Sequence, residues 1–223
     1  MRKIIRLCVG VMLIFISLGF FFYPDFRNWK IREEVNRVEE EIKIYRSKVD
    51  EEEAMPYKNE ITEEELYLEM KKYNQRLVTD GQELVDVWSY EETPIELKHL
   101  KDVNQVIGYI EIPDMKVKLP LLIGASEENL AKGAGILSET SMPVGGENTN
   151  SVIENMKNGS IVYLHTLWET RVYKTVDVKI VDSFDLESIL IQEEKDMVTL
   201  MSCHPYGVPG GKFRYLVYCE YVE

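Results

Sequence analysis

The segment Thr-Leu-Met-Ser-Cys at residues 199–203, followed by Phe-Arg-Tyr-Leu-Val at residues 213–217, decides the fold. Both segments are typical of strands, so a cysteine ends one strand and an arginine lies on the next. A cysteine reacts as thiolate, and a nearby guanidinium favours that form while offering donors to a developing oxyanion. The alternative interpretation is that Cys203 is a buried core thiol and Arg214 an ordinary surface arginine.

Cys203 is predicted to be a free thiol. Side chains alternate along a strand, so Cys219 points away from Arg214 and pairing with Cys203 is not expected. The third cysteine, Cys8, lies in an apolar N-terminal run. Three cysteines in an exported chain do not form a disulfide framework.

The N-terminus is predicted to anchor the chain in a membrane. Arg2, Lys3 and Arg6 precede an uncharged run at residues 7–23, close to the lower limit of about 17 residues for a spanning helix. The alternative is the apolar core of a cleaved signal peptide, but bulky aromatics stand where a small-x-small cleavage site is required. We therefore expect a cytoplasmic tip and single-pass anchor at residues 1–24, with the remainder extracytoplasmic.

Two helices are predicted in an arm at residues 25–80. The first carries an apolar stripe from Ile31 to Val49, and packing on its own domain is favoured over self-association because two and a half heptads are too few for a coiled coil. Thr62 with Glu65 forms a capping-box signature for the second helix. That helix has a stripe of its own, formed by Leu66, Met70, Tyr73 and Leu77.

From Val106 the apolar pattern changes to a period of two. Val117, Leu119 and Leu121 alternate with lysines, and several more short strands follow, with Ser126 capping a short helix. Such a pattern predicts a mostly β domain at residues 105–223, folded as a mainly antiparallel barrel with short helices.

The charge balance excludes one class of partner. The net charge is −13, from 39 acidic and 26 basic residues, whereas nucleic acid requires a basic surface. No His, Cys or Asp spacing matches a metal-ligand set and no glycine-rich loop follows a strand in a phosphate-binding manner, so neither a metal nor a cofactor is predicted.

Several motifs together resemble the sortases, in the order found in that family. The Cys-x-Pro-Tyr-Gly run at residues 203–207 is most similar to the class C, pilus-assembling branch, and Ser202 stands where the family motif has a second threonine. Further matches are Val-Ile-Gly-Tyr-Ile-Glu-Ile-Pro at 106–113, Leu-Pro-Leu at 119–121 and Ser-Met-Pro-Val-Gly-Gly at 141–146. The resemblance covers about residues 84–222.

The resemblance implies an eight-stranded sortase barrel and a cysteine transpeptidase. Cys203 would attack the threonine carbonyl of a sorting motif, Arg214 would stabilise the oxyanion, and an amine such as a pilin lysine would resolve the thioester. The implied setting is pilus assembly on a Gram-positive cell surface, with sorting signals of pilins or other surface proteins as partners.

The resemblance also implies a catalytic histidine, which this chain is predicted to lack. The family carries it in a Gly-His-Arg or Ala-His-Arg segment after a strand similar to Ser-Val-Ile at 151–153, but here Ile153 runs directly into residues 154–159. His204 points away from Cys203, and His99 lies in the connector before the barrel. His165 stays open as a replacement, because catalytic partners are recognised by geometry rather than sequence position.

A connector at residues 81–104 is interpreted as a lid. Class C sortases carry an Asp-Pro-aromatic lid motif, which Asp86, Val87 and Trp88 resemble without its proline. The alternative is a plain connector whose aromatic residue anchors it to the core.

Two further hypotheses remain for the whole chain. Without its histidine, the barrel would bind pilin or sorting peptides without turning them over. Alternatively, the sequence records an internally truncated gene product that folds poorly.

Overall fold

The computed structural model describes residues 2–49, 56, 57, 61–82, 84, 106–154, 160–205 and 211–222. Helix α1 (Arg2–Val49) is followed by a small pair of strands, β1 (Pro56–Tyr57) and β2 (Ile61–Thr62), and by α2 (Glu63–Thr79). The remaining elements are β3 (Val106–Ile112), a 3₁₀ turn (Pro113–Met115), β4 (Val117–Ile123), α3 (Glu127–Lys132), β5 (Ala134–Ile136), β6 (Thr149–Glu154), β7 (Ile161–Thr166), β8 (Thr170–Asp182), a 3₁₀ turn (Glu187–Ile189), β9 (Asp196–His204) and β10 (Phe213–Tyr221).

Strands β3 to β10 close into an eight-stranded barrel in the order β10-β8-β7-β3-β4-β5-β6-β9. The predicted barrel is therefore confirmed. Its strand pairs are antiparallel except for β4–β5 and β6–β9, which are parallel. The β4–β5 exception follows from α3, because parallel neighbours need a crossover connection instead of a hairpin. Ser126 caps that helix as predicted, accepting a hydrogen bond from the Asn129 backbone nitrogen at 3.2 Å.

The period-two pattern separates an interior core from an outer face. On β6 and β9, Ile153, Val198 and Leu200 belong to the central cluster, whereas Val152 and Met201 belong to a second cluster on the outside. Alternate residues of one strand point to opposite faces, so each strand supplies both clusters.

The predicted stripe of α2 packs into the central cluster. Leu66, Met70, Tyr73 and Leu77 are all buried there. Asn74, on the same helix, is also buried and exchanges hydrogen bonds of 3.0 and 2.7 Å with the backbone of Met142. These bonds fix α2 to the segment 141–146 between β5 and β6.

Helix α1 packs its second half against the barrel. Val35, Val38 and Ile42 form a cluster with Tyr109 of β3 and Leu167, which follows β7. The predicted packing of this stripe on its own domain is thus confirmed. Among the described residues, α1 is the one helix that is long and apolar enough to cross a membrane, a property that signal sequences share.

His165 lies on the outer face of β7, in the region that α1 covers. Its ring stacks on Tyr109 at 4.2 Å, and its Nδ1 hydrogen-bonds the Thr170 hydroxyl at 2.9 Å. Burial, together with the positive charges of Arg46 and Lys118, lowers the pKa of His165 to about 4. The imidazole is therefore neutral in the folded protein at neutral pH.

This lowered pKa predicts an acid-dependent loss of stability. Between pH 6.5 and pH 4 the unfolded chain binds a proton at His165 and the folded chain does not. The free energy of unfolding therefore falls as the pH falls. We expect His165→Gln to remove about 1–2 kcal/mol of that fall, since the ring is only partly shielded from water. Urea unfolding of the chain at pH 7 and pH 4 measures the difference.

The control for this prediction is Tyr163→Phe, which alters the ring 6.1 Å from His165 without removing the imidazole. It should keep the wild-type pH dependence. An unchanged dependence in His165→Gln would contradict the assignment.

Candidate functional site

Cys203 and Arg214 lie directly opposite each other on paired strands. In the antiparallel register of β9 with β10, their Cα atoms are partners. Partners in a sheet point to the same face, so the thiol and the guanidinium share the outer face of the barrel. Cys203 is half-buried and forms no disulfide.

Arg214 is held in place by backbone carbonyls. The side chain is only 4% exposed. Its Nη1 donates to the carbonyl of Gly211 at 2.6 Å and to that of Phe213 at 3.2 Å. A buried guanidinium fixed in this way is a preorganised donor, which costs little reorganisation when charge develops nearby.

An apolar surface continues from these two residues along the same face. Met201 and Leu216 are also Cα partners, two residues from Cys203 and Arg214 along each strand. They pack with Val152, Leu137 and other buried side chains in the outer cluster. Cys203 and Arg214 therefore stand at the edge of an apolar surface that excludes water.

Glu154 also belongs to this face, although no motif in the sequence points to it. It ends β6, where its register partner is Met201 of β9. Only 6% of the residue is exposed, and burial raises the pKa of its carboxyl to about 7 against the opposing effect of Arg214. Its spacing of two residues from Val152 shows that the two side chains share a face of β6. That face is known to adjoin Cys203 only once β6 is known to pair with β9.

None of the described histidine side chains lies beside the Cys203 thiol. His165 is on β7, and the barrel order places β10 and β8 between β7 and β9 on one side and four strands on the other. His204 is the partner of Phe213, so it points away from Cys203 as predicted, and its ring lies 6.4 Å from that of Tyr215. His99 lies outside the described residues.

The start of the predicted lid lies against the outer face. Gln82 donates to the Glu139 carbonyl at 2.9 Å and accepts from the Ile191 backbone nitrogen at 2.7 Å. Leu84 packs against the outer cluster. Asp86 and Trp88 lie outside the described residues.

The described ranges contain no cluster of three or more His, Cys, Asp or Glu residues that could hold a metal ion. What the outer face does offer is a thiol, a fixed guanidinium and a protonatable carboxyl. This set suits acyl transfer, which requires a nucleophile, an oxyanion donor and a group that moves protons.

The chain is similar to known proteins of one family. A family model described as the sortase domain matches residues 110–222. Sortase D of Bacillus subtilis is 28% identical over 129 residues, which are 52% of this chain and 64% of the relative.

The chain covers a larger share of the solved structures that it resembles than of this relative. The X-ray structure of sortase C from Clostridium perfringens SM101 is 35% identical, with a TM-score of 0.58, over 72% of this chain and 89% of that one. A structure of C. perfringens sortase C with the C-terminal cell wall sorting motif is 31% identical, with a TM-score of 0.61, over 86% and 98%. The chain therefore belongs to the sortase family, and the solved structures that it resembles are those of class C sortases.

Proposed function

We propose that this protein is a membrane-anchored cysteine transpeptidase that cleaves a sorting motif and joins its threonine carbonyl to an amine. The observation that carries the proposal is the Cα pairing of Cys203 with Arg214 on the outer face of the barrel. In this role Cys203 is the nucleophile and Arg214 is the oxyanion donor.

The reaction proceeds in two acyl transfers. The Cys203 sulfur bonds to the threonine carbonyl carbon, and the carbonyl π electrons move to the oxygen beside Arg214. Collapse of this intermediate breaks the C–N bond, and the leaving nitrogen takes that electron pair and a proton. An incoming amine then attacks the thioester, loses a proton, and releases the sulfur.

The substrates proposed are sorting signals of pilins or other surface proteins. A related sortase C has been solved with the C-terminal cell wall sorting motif, and the structure of Streptococcus pneumoniae sortase C was described in terms of pilin substrate specificity. The setting would be pilus assembly on a Gram-positive cell. Residues 1–24 would anchor the protein, residues 25–80 form its helical arm and 105–223 its extracytoplasmic catalytic domain.

Loss of the family histidine is expected to slow turnover by several orders of magnitude. The described face of Cys203 carries no histidine, and this observation favours a second function in which the barrel binds sorting peptides without cleaving them. We further propose that the connector at residues 81–104 acts as a lid through Asp86 and Trp88, and in this second function it would control the access of peptides to the site.

Acyl-enzyme formation tests the proposed nucleophile. We expect the full chain to form a thioester with a sorting-motif peptide, detected as an adduct on the Cys203 peptide by mass spectrometry. Cys203→Ala should form none, while Cys219→Ala, which removes a buried thiol on the inner face, should retain it. Arg214→Gln should slow adduct formation by about 10²–10³-fold, as expected for a lost oxyanion donor.

Titration of the same peptide against Cys203→Ala separates the two functions. A transpeptidase binds the peptide and, in the wild type, forms the thioester. Binding without any adduct in the wild type would establish the second function, and neither binding nor adduct would contradict both.

The lid can be tested by thiol accessibility. If Trp88 covers the site, Trp88→Ala should increase the rate at which iodoacetamide alkylates Cys203, because an indole ring shields it from reagent. Trp29→Ala, on an exposed part of α1, is the matched control and should leave the rate unchanged. Equal rates in Trp88→Ala and the wild type would count against a lid.

A further inference from the structure

Glu154 occupies a position from which its side chain can reach Cys203 and Arg214. It is the register partner of Met201 in the parallel pairing of β6 with β9, and Cys203 follows Met201 by two residues on that strand. With strands about 4.8 Å apart and residues about 3.3 Å apart, the Cα atoms of Glu154 and Cys203 are separated by roughly 8 Å along a diagonal. Long side chains on one face meet across such diagonals.

Glu154, Cys203 and Arg214 all point to the same side of the sheet. Val152 and Met201 are members of the outer cluster, whereas Ile153 is a member of the inner one. Alternation therefore places Glu154 outward, as it does Cys203, and the register places Arg214 outward beside Cys203. Three adjacent strands thus present a carboxyl, a thiol and a guanidinium on one surface.

The carboxyl of Glu154 is not explained by a structural role. A buried carboxylate that serves stability is normally held by hydrogen bonds or an ion pair. Glu154 is only 6% exposed, yet no hydrogen bond or salt bridge to its carboxylate is found within the described part of the chain. Its burial instead favours the protonated form near neutral pH.

We propose that Glu154 is the proton-transfer group of Cys203, in the part that a histidine takes in the family. The proposal rests on the proposed transpeptidase function and names the residue that moves its protons. It requires only groups that this chain itself places on the outer face.

Each proton in the reaction is accounted for by this assignment. The Glu154 carboxylate accepts the thiol proton as sulfur bonds to the carbonyl carbon. The resulting carboxylic acid gives that proton to the leaving nitrogen as the C–N bond breaks. The carboxylate then accepts a proton from the attacking amine. Glu154 passes this proton to the thiolate that is released at the end, which restores the thiol and the carboxylate.

Among the described residues, two charged or titratable groups bear on Glu154, namely Arg214 and Cys203. Arg214 of β10 lowers the carboxyl pKa, though by less than burial raises it. Cys203 of β9 is the proposed proton partner, and β5 presents Gly135 as the register partner of Glu154. The carboxyl is therefore expected to change charge near pH 7, a range in which both the acid and the base form are populated.

Alkylation of Cys203 tests the assignment without requiring turnover. The probe is iodoacetamide on the full chain between pH 5.5 and pH 9, with the Cys203 peptide followed by mass spectrometry. We expect the wild-type rate profile to carry an inflection near pH 7, because ionisation of Glu154 changes the environment of the thiol. Glu154→Gln should lose that inflection, whereas Glu220→Gln, six residues from Arg214 on β10, should keep it.

Single-turnover acylation by a sorting-motif peptide tests the same residue in the reaction. Acceptance of the thiol proton needs the ionised carboxyl, which then delivers that proton to the leaving amine, so the wild-type rate should decline as the pH falls below 7. Glu154→Gln should be about 10²–10³-fold slower and lose the decline, in line with the usual contribution of general acid catalysis. Glu154→Asp, which keeps a titrating group but withdraws it by one methylene, should be slower than wild type and retain a pH-dependent decline.

The outcomes distinguish this proposal from the function on which it rests. A wild-type alkylation profile without the inflection, or an inflection that persists in Glu154→Gln, would overturn the assignment. An inflection that depends on Glu154, in a wild type that forms no thioester, would support the pairing with Cys203 and contradict the transpeptidase. Wild-type acylation rates in a folded Glu154→Gln would refute the catalytic role of Glu154 and leave the transpeptidase function standing.

Discussion

The pairing of β9 with β10 is the constraint on which the site depends. Its register makes Arg214 the partner of Cys203 and leaves Met201 facing Leu216. A slip of one residue would turn every side chain of one strand to the other face. The interior enforces the register, because Leu200 and Val217 are completely buried partners whose exposure would cost about 1.5–3 kcal/mol each.

Closure of the barrel adds the third strand of the site. β6 and β9 are separated in the chain by β7 and β8, yet they pair in parallel. This pairing places Glu154 near Cys203 and buries its carboxyl. A carboxyl at the end of an isolated strand would face water and remain ionised at neutral pH.

The same physical effect acts in opposite ways on two sides of the barrel. Burial lowers the pKa of His165 to about 4 and raises that of Glu154 to about 7. In both cases the neutral form is favoured, because a charged group loses hydration in the interior. The histidine is thereby confined to packing beneath α1, while the carboxyl titrates beside the thiol in the range where proton transfer operates.

Local sequence determined the elements and much of their orientation. Alternation along a strand is a property of the backbone, so three orientations were predictable: the shared face of Arg214 and Leu216, the opposite face of Cys219, and the direction of His204 away from Cys203. The stripe of α2 and the Ser126 cap were predictable for the same reason, because helical periodicity and capping act over a few residues. The family motifs added the barrel and the sulfur–guanidinium pair.

Tertiary structure alone decided which strands became neighbours. Strand order excluded His165 from the site, since β7 is separated from β9 by two strands on its nearer side. Register brought in Glu154, whose residue type and position at the end of β6 gave no sign of its surroundings. Pairing between strands depends on contacts between distant parts of the chain, so its outcome is not contained in any local pattern.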